Sequence, residues 1–587
     1  MINKKKLFFA SVIAAFALTI GACSNNYTSE QTKNNITIEE VKDWKPYDEN
    51  GEVIRTDRSA EGKIGVVSTS NFEASKVGLD ILKKGGNAID AAVAAGFALS
   101  VVEPSCSGIG GGGFMMIRIA KTGETIFIDF RERAPKNATP DMWIQDEKGN
   151  IEGNQKREGG KAAGIPGEVA GLLYALEKYG TMSREEVMRP AVNLARNGFE
   201  VPPILANDIK DSYDKMLTYP ETGEVFLTED GFPYELGDLF KNEEMAKTLE
   251  IIIEKGRDGF YKGEVAEAIV NSLNKYDGLF TLEDLANYQP KIRKPVTGTY
   301  RGYDIISSPS PSSGGAVVVQ ILNILENFDV GSMEVNSPEY LHLFSETFKL
   351  AYADRAKYMG DTDYIPVPIE GLTSKEYAKD ISKYIDENVS KPSVSHDPWQ
   401  YESEDTTHYS IADSEGNMVA ITKTINGVFG NGVVADGYGF MLNNEMDDFV
   451  AGSGHPNSVA PGKTPLSSMS PTVVLKDGKP FMVLGSPAAT RIISTVSQVI
   501  SRVIDHDMGI QEAIDAPRLY DNTSNVINVE TRIPDSTVKE LEKMGHKVNK
   551  TSDWERSMGA VQGVMYKEDG TLEGGADPRR DGKALGF

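Results

Sequence analysis

Two adjacent threonines, Thr406 and Thr407, follow an acidic run in "ESEDTTHYSIAD", and a histidine follows them. A threonine hydroxyl is a weak nucleophile unless a base lies beside it. The economical base is the residue's own α-amine. That amine titrates near about 7.7–8.0 in model peptides, so much of it is a neutral base at working pH. Thr406 is internal, so this chemistry requires a cut between Asp405 and Thr406. An internal Thr-Thr pair is otherwise unremarkable, because β-branched threonine favours strands.

Other candidate chemistry is weaker. "GIGGGGFMM" satisfies G-x-G-x-x-G at Gly108, Gly110 and Gly113. A dinucleotide site needs a strand before that run and a helix after it, and here the order is reversed. There is no G-x-S-x-G elbow. The 6 histidines are scattered, with no pair at metal-ligand spacing, so neither a metal site nor a cofactor is expected. "PSPSSGG" (309–315) reads as a turn.

The threonines need elements to hold them. "HYSIAD" and "MVAITKT" alternate as strands around the turn "DSEGN" (413–417), which predicts a hairpin. Upstream, "GVVSTS" reads as a strand, and "NFEASKVGLDILKKGGNAIDAAVAAGFALSVVEP" as two helices broken at Gly85-Gly86. "GFMMIRIA" and "TIFIDFRE" read as strands, and the long middle region is mostly helical. "KPSVSHDPWQYESED" (391–405) reads as an exposed loop. Strands resume at "GFMLN", "TVVLKDG" and "FMVLGS", and "IISTVSQVISRVID" reads as a helix. This order predicts a layered α/β fold with largely antiparallel sheet.

The chain has 587 residues, 40% of them hydrophobic, and a formal net charge of −25. So acidic a chain lacks the clustered Lys and Arg that nucleic acid requires. "MINKKKLFFASVIAAFALTIGACS" has the charged, apolar, then small-residue order of a secretory signal. Its "IGAC" resembles a bacterial lipobox, which implies lipid on Cys23. The second cysteine, Cys106, then has no disulfide partner and is expected to be buried. Residues 24–60 are polar with little periodicity and read as a tether.

Over nearly the whole chain from about residue 60, the sequence resembles the γ-glutamyltransferase family of N-terminal nucleophile hydrolases. The blocks that carry the resemblance include "KKGGNAIDAAVA", "EPSCSGIGGGGFM", "IDFRERAP", "GIPGEVAGL", "PSSGG", "YADRAKYMGD", "TTHYSIAD", "KTINGVFGNG", "LNNEMDDF" and "PLSSMSPT", in one order. The resemblance implies an αββα sandwich, two largely antiparallel sheets between helical layers. The N-terminal pattern sets a signal peptide at 1–22 and a tether at 23–60, and the resemblance implies a large subunit at 61–405 and a small catalytic subunit at 406–587, which pair as a heterodimer. Thr406 matches the residue that cuts the precursor after Asp405 and then serves as nucleophile, and Thr424 matches its supporting hydroxyl. Arg131 matches the arginine that grips the donor's α-carboxylate, with Ser467 and Ser468 beside it. Asp448 matches the acceptor of the donor's α-ammonium, with Glu445 and Asn426 as neighbours.

Two departures stand out. The family's "GSPGG" reads "GSPAAT", which puts Ala488 and Ala489 where backbone N–H groups form an oxyanion hole. Alanine serves there if its φ is negative, and that is the expectation. The segment between Asp448 and Pro465 is short, which predicts an open site. The implied activity moves the γ-glutamyl group of glutathione or a related donor to water, amino acids or peptides. Alternatives are a poly-γ-glutamate depolymerase or transpeptidase, and a catalytically impaired, lipid-anchored binding relative. Relatives that remove glutaryl groups fit less well, since glutaryl has no ammonium for Asp448. The implied location is extracytoplasmic, on a membrane through lipidated Cys23, with no nucleic-acid partner.

Overall fold

The computed structural model describes residues 44–146, 151–391, 406–523 and 526–587. In chain order the strands of its two main sheets are β1 (Ala60–Gly62), β2 (Gly65–Thr69), β3 (Gly112–Arg118), β4 (Thr125–Phe130), β5 (Lys291–Arg293), β6 (Val296–Tyr300) and β7 (Tyr303–Ser307). They continue with β8 (Thr407–Asp413), β9 (Met418–Thr424), β10 (Thr472–Lys476), β11 (Lys479–Gly485), β12 (Gln562–Tyr566), β13 (Leu572–Ala576) and β14 (Leu585–Gly586). The first sheet runs β14-β2-β8-β9-β3-β4-β5 and the second β1-β13-β12-β11-β10-β7-β6. Every pairing within both is antiparallel.

The hairpin forms as its sequence predicts, with Thr407 opposite Lys423 and His408 opposite Thr422. Its turn is built by Asp413, whose Oδ1 accepts from Glu415 N at 3.1 Å and Asn417 N at 2.9 Å. Gly416 supplies a φ of +95° there, which a side chain would resist. Successive residues then face different layers. Ser410 looks toward the second sheet and donates to Gln562 O at 3.0 Å. Lys423 looks the other way and donates to Gly96 O at 2.8 Å.

Helices α1 (Phe72–Lys83), α2 (Ala88–Val102) and α3 (Glu168–Tyr179) cover the outer face of the first sheet. Every residue of α2 is buried, as suits a helix that is apolar all round. It lies so close that a Cβ on Gly96 would stand 2.4 Å from the Tyr409 hydroxyl. Helices α4 (Gly314–Leu325) and α6 (Arg491–His506) cover the second sheet, and α5 (Pro338–Tyr358) packs on α4. Between the sheets lie Phe114, Met116 and Ala420 from one side and Val473, Val483 and Val564 from the other. Each large apolar side chain buried there contributes about 1.5–3 kcal/mol. The αββα sandwich is the observed fold.

Two expectations change. The stretch read as a tether through residue 60 packs into the fold from Pro46. Arg58 is buried and donates to Arg580 O at 2.7 Å and Gly582 O at 2.5 Å. Guanidinium-to-carbonyl bonds, rather than apolar periodicity, hold this stretch. "GFMLN" forms isolated bridges, Val434 to Met441 and Gly110 to Leu442, and no strand. Cys23, Asp405 and all of the 391–405 loop except Lys391 lie outside the described residues. Among the described residues, no helix is long and apolar enough to cross a membrane.

Candidate active site

Thr406 stands one residue before β8, and Thr424 ends β9 beside it. Thr406 Oγ1 donates to Thr424 Oγ1 across a long 3.4 Å. Thr424 Oγ1 also accepts from Asn426 N at 2.7 Å. Asn426 holds a φ of +72°, a left-handed conformation that asparagine tolerates better than most residues. Its Nδ2 donates to Asn444 O at 3.1 Å, while Asn444 Oδ1 accepts from Gly427 N at 2.7 Å. A short 3-10 turn, Glu445–Asp448, follows directly.

That turn delivers two carboxylates to Arg131, which leaves the end of β4. Arg131 Nη2 pairs with Asp448 Oδ2 at 2.6 Å and with Glu445 Oε1. Glu132 Oε2 lies 4.0 Å from Nη1. Hydrogen bonds and one tight turn therefore join the Thr406 hydroxyl to a buried ion cluster, through Thr424, Asn426 and Asn444. Burial alone would lower the Arg131 pKa, but Glu445, Asp448 and Glu132 outweigh it and raise it. Burial drives the Glu132 carboxyl up to about 8, against the pull of Arg131. The same cause raises Glu445 well above the usual carboxylate range, again against Arg131. One guanidinium thus cannot keep three carboxylates ionised, and a second cation would be welcome. Arg131 Nε is buried with no hydrogen-bond partner among the described residues, so it remains a donor for an incoming anion.

The glycine run is a packing device. A Cβ on Gly111 would stand 2.0 Å from Thr424 O, and one on Gly112 2.5 Å from Phe130 O. Only a chain without side chains passes that close to Thr424. Ser467 and Ser468 bond elsewhere than the Arg131 cluster. Ser467 Oγ accepts from Met469 N at 3.1 Å, and Ser467 O accepts from Ser313 N at 2.8 Å. Ser468 Oγ accepts from Arg355 Nη2 at 2.8 Å, and Arg355 Nε donates to Ser313 Oγ at 2.8 Å. A second buried guanidinium therefore stands behind the serine pair.

Ala488 and Ala489 overturn the expectation of negative φ: they stand at +96° and +44°. The loop keeps a conformation suited to glycine although alanine occupies it. Its carbonyls begin α6, Ala488 O accepting from Arg491 N at 2.9 Å and Ala489 O from Ile492 N at 3.1 Å. These helix-starting bonds hold the strained turn in place. Neither alanine N–H has a backbone acceptor among the described residues. Both lie at the N-terminal end of α6, where the helix dipole favours negative charge. The short 449–465 segment does not leave the site open: Thr406 is 6% exposed and Arg131 2%. Asn457 Nδ2 pins this segment by donating to Asp448 O at 2.6 Å.

The family whose sequence pattern matches residues 74–587 is described as Gamma-glutamyltranspeptidase. This chain belongs to the gamma-glutamyltranspeptidase family. A protein of Escherichia coli named glutathione hydrolase proenzyme is 46% identical over 531 residues, which cover 88% of this chain and 90% of that protein. A Bacillus subtilis protein of the same name is 42% identical over 544 residues, covering 90% and 92% respectively. Among solved structures, the cephalosporin acylase from Bacillus halodurans superposes with a TM-score of 0.83 at 30% identity, covering 93% of this chain and 98% of that one. The gamma-glutamyltranspeptidase fold thus accounts for almost all of the described chain. Sequence reading missed Glu132, Asn444 and Arg355 as site residues. All three stand inside the quoted blocks "IDFRERAP", "LNNEMDDF" and "YADRAKYMGD", but only proximity in space marks them out.

Proposed function

We propose that this enzyme cuts itself before Thr406 and then moves γ-glutamyl groups, from glutathione or a related donor, to water or to an amine. The observation that carries this reading is the continuous link from the Thr406 hydroxyl to the buried Arg131–Glu445–Asp448 cluster. A γ-glutamyl donor carries an α-carboxylate and an α-ammonium, and the cluster offers a partner for each. Arg131 Nε meets the carboxylate, and a planar guanidinium can grip two oxygens at once. Asp448 and Glu445 take the ammonium, which supplies the second cation the cluster lacks. The names of the E. coli and B. subtilis relatives support glutathione as donor. The poly-γ-glutamate alternative is not favoured.

In maturation, Thr406 Oγ attacks the Asp405 carbonyl. The peptide C–N bond breaks as an ester forms, and the released Thr406 nitrogen takes the hydroxyl proton. Water then hydrolyses the ester, which frees Thr406 as an amino terminus and leaves a heterodimer. In turnover, the new amine takes the Thr406 hydroxyl proton while Oγ attacks the γ-carbonyl, and it returns that proton to the leaving amine. The Ala488 and Ala489 N–H groups face the charge that develops on the carbonyl oxygen. Thr424 accepts from the Thr406 hydroxyl and orients it. Ser467 and Ser468, steadied by Arg355, complete the carboxylate side.

On a denaturing gel, wild-type protein is expected to run as two bands and to release glutamate from glutathione. Thr406→Ala is expected to stay whole and inactive. Two bands from Thr406→Ala would place the cut elsewhere. A cleaved wild type that releases glutamate only from poly-γ-glutamate would overturn the donor. The "IGAC" sequence supports lipid on Cys23 and an extracytoplasmic, membrane-held enzyme. Mass spectrometry of membrane-fraction protein should find acylated Cys23, and an unlipidated mature chain starting well past it would sink the anchor.

A further inference from the structure

His342 and Glu346 stand one turn apart on α5, on one helix face. His546 lies between helix Asp535–Lys543 and strand Lys547–Lys550, 204 residues beyond His342. No local spacing links these histidines, so no metal site is legible from the sequence. In space the potential ligand atoms of all three residues lie within 4.8 Å of one another, and all three residues are buried. His342 Nδ1 and His546 Nε2 are 2.7 Å apart.

The hydrogen bonds set the tautomers. His342 Nε2 lies 2.7 Å from Asp386 O, a carbonyl that can only accept, so Nε2 carries the proton and Nδ1 presents a lone pair. His546 Nε2 then carries the proton shared with His342, and its Nδ1 is buried without a partner. A ring that donates one N–H to a backbone carbonyl while aiming the other nitrogen at its neighbours has the arrangement typical of metal-bound histidine. The charged groups around the cluster are Glu346, Asp521 and Lys349. Lys349 Nζ sits 2.5 Å from Glu346 Oε1, and it also donates to Ser390 Oγ and Lys391 O at 2.9 Å each. Two carboxylates against one ammonium leave room for added positive charge.

We propose that His342, Glu346 and His546 are the protein ligands of a first-row transition-metal dication of the zinc class, with a fourth position for water. Two imidazoles and one carboxylate form a standard donor set for such an ion. The metal would tie helix α5 to the His546 turn, on the far side of the Thr406 cut. Through the Asp386 carbonyl it would also steady the chain that runs toward that cut. Ser390 N already donates to Met544 O at 2.7 Å, so this segment is docked on the same turn.

The test uses full-length, tag-free protein freed of metal by dialysis against a chelator and then titrated with Co2+. One Co2+ per chain is expected, with the d–d absorption of a four-coordinate nitrogen and oxygen site, displaced by Zn2+. His342→Gln and His546→Gln should each weaken Co2+ binding at least roughly tenfold. Lys349→Gln keeps all three ligands, removes the competing ammonium and should tighten binding severalfold, which guards against misfolding of the histidine variants. Zn2+ should raise the melting temperature of wild type but not of His546→Gln. A wild type that takes up no Co2+, or uptake unchanged in all three variants, overturns the site.

Discussion

The two ends of the candidate site are built on opposite principles. At the Thr406 end, hydroxyls and a main-chain group meet: Thr424 and the Asn426 amide. At the Arg131 end, charges crowd together, with one guanidinium facing three carboxylates. His408, between the sheets, is itself kept neutral, its pKa pushed to about 3 by burial. The contrast has a physical reason. A bond-making centre gains from dipoles already aimed at charge that exists only in the transition state. A recognition pocket gains from full charges that match a zwitterion in its ground state.

That contrast can be broken experimentally, and the largest effect is expected at the hydroxyl end. Thr424→Val should lower kcat by roughly 10²–10⁴ with little change in KM, the range for losing a group that assists proton movement. A rise in KM alone would move Thr424 to the recognition side. Arg131→Ala should cost roughly 2–5 kcal/mol in kcat/KM, the scale for leaving one member of a buried charged pair alone. Arg131→Lys should recover only part of this, since the planar fork is lost. Unchanged kinetics in both would remove Arg131 from donor binding.

The carboxylates should also write themselves into the pH dependence of stability. Glu132 ionises near about 8 in the fold, against 4.5 for the ordinary carboxyl. Between those values the native state holds the extra proton. Stability therefore falls as pH rises from about 5 to 8 and levels off above that. Urea denaturation of uncut Thr406→Ala protein should show a loss of roughly 3–4 kcal/mol across that window from Glu132, and adding Glu132→Gln should remove that share while the part due to Glu445 remains. A profile that Glu132→Gln leaves unchanged would show that Glu132 is ionised throughout. The smallest effect is expected at the alanine turn. Positive φ costs an alanine about 1–2 kcal/mol, and glycine gives back about 0.4–1 kcal/mol of that through its freer unfolded chain. Ala488→Gly with Ala489→Gly should therefore stabilise the protein by about 1–2 kcal/mol net and change turnover less than about tenfold. A hundredfold gain in turnover would show that the alanines deform the hole.

What the sequence made legible follows the range of the forces involved. The β8–β9 hairpin was readable because alternation and an Asp-initiated turn are local. The helices were readable through their period and the Gly85-Gly86 break. Arg131, Glu445 and Asp448 came from a family resemblance, and the structure places them in one ion cluster. Side-chain partners from distant segments were not readable: Arg355 behind Ser468, Glu132 beneath Arg131, or Arg58 gripping the carbonyls of Arg580 and Gly582. The φ values of Ala488 and Ala489 were misread because residue identity outweighed context. Alanine prefers negative φ, but the start of α6 fixes the turn.

The first sheet interleaves the chain on either side of Thr406: β8 and β9 lie between β2 and β3. Lys423 from one side reaches across to Glu168 from the other at 2.6 Å, with both side chains fully buried. Before a cut, one chain guides these strands into register. After it, the same register must be found by two separate molecules, and assembly becomes concentration-dependent. Self-cleavage would thus erase the instructions by which the protein was assembled. A mature enzyme that unfolds in dilute solution has no easy way back, so its working lifetime is set by how slowly it opens. The fully hydrogen-bonded sheet and the dry Lys423–Glu168 pair across the seam then act as a clasp that closes once.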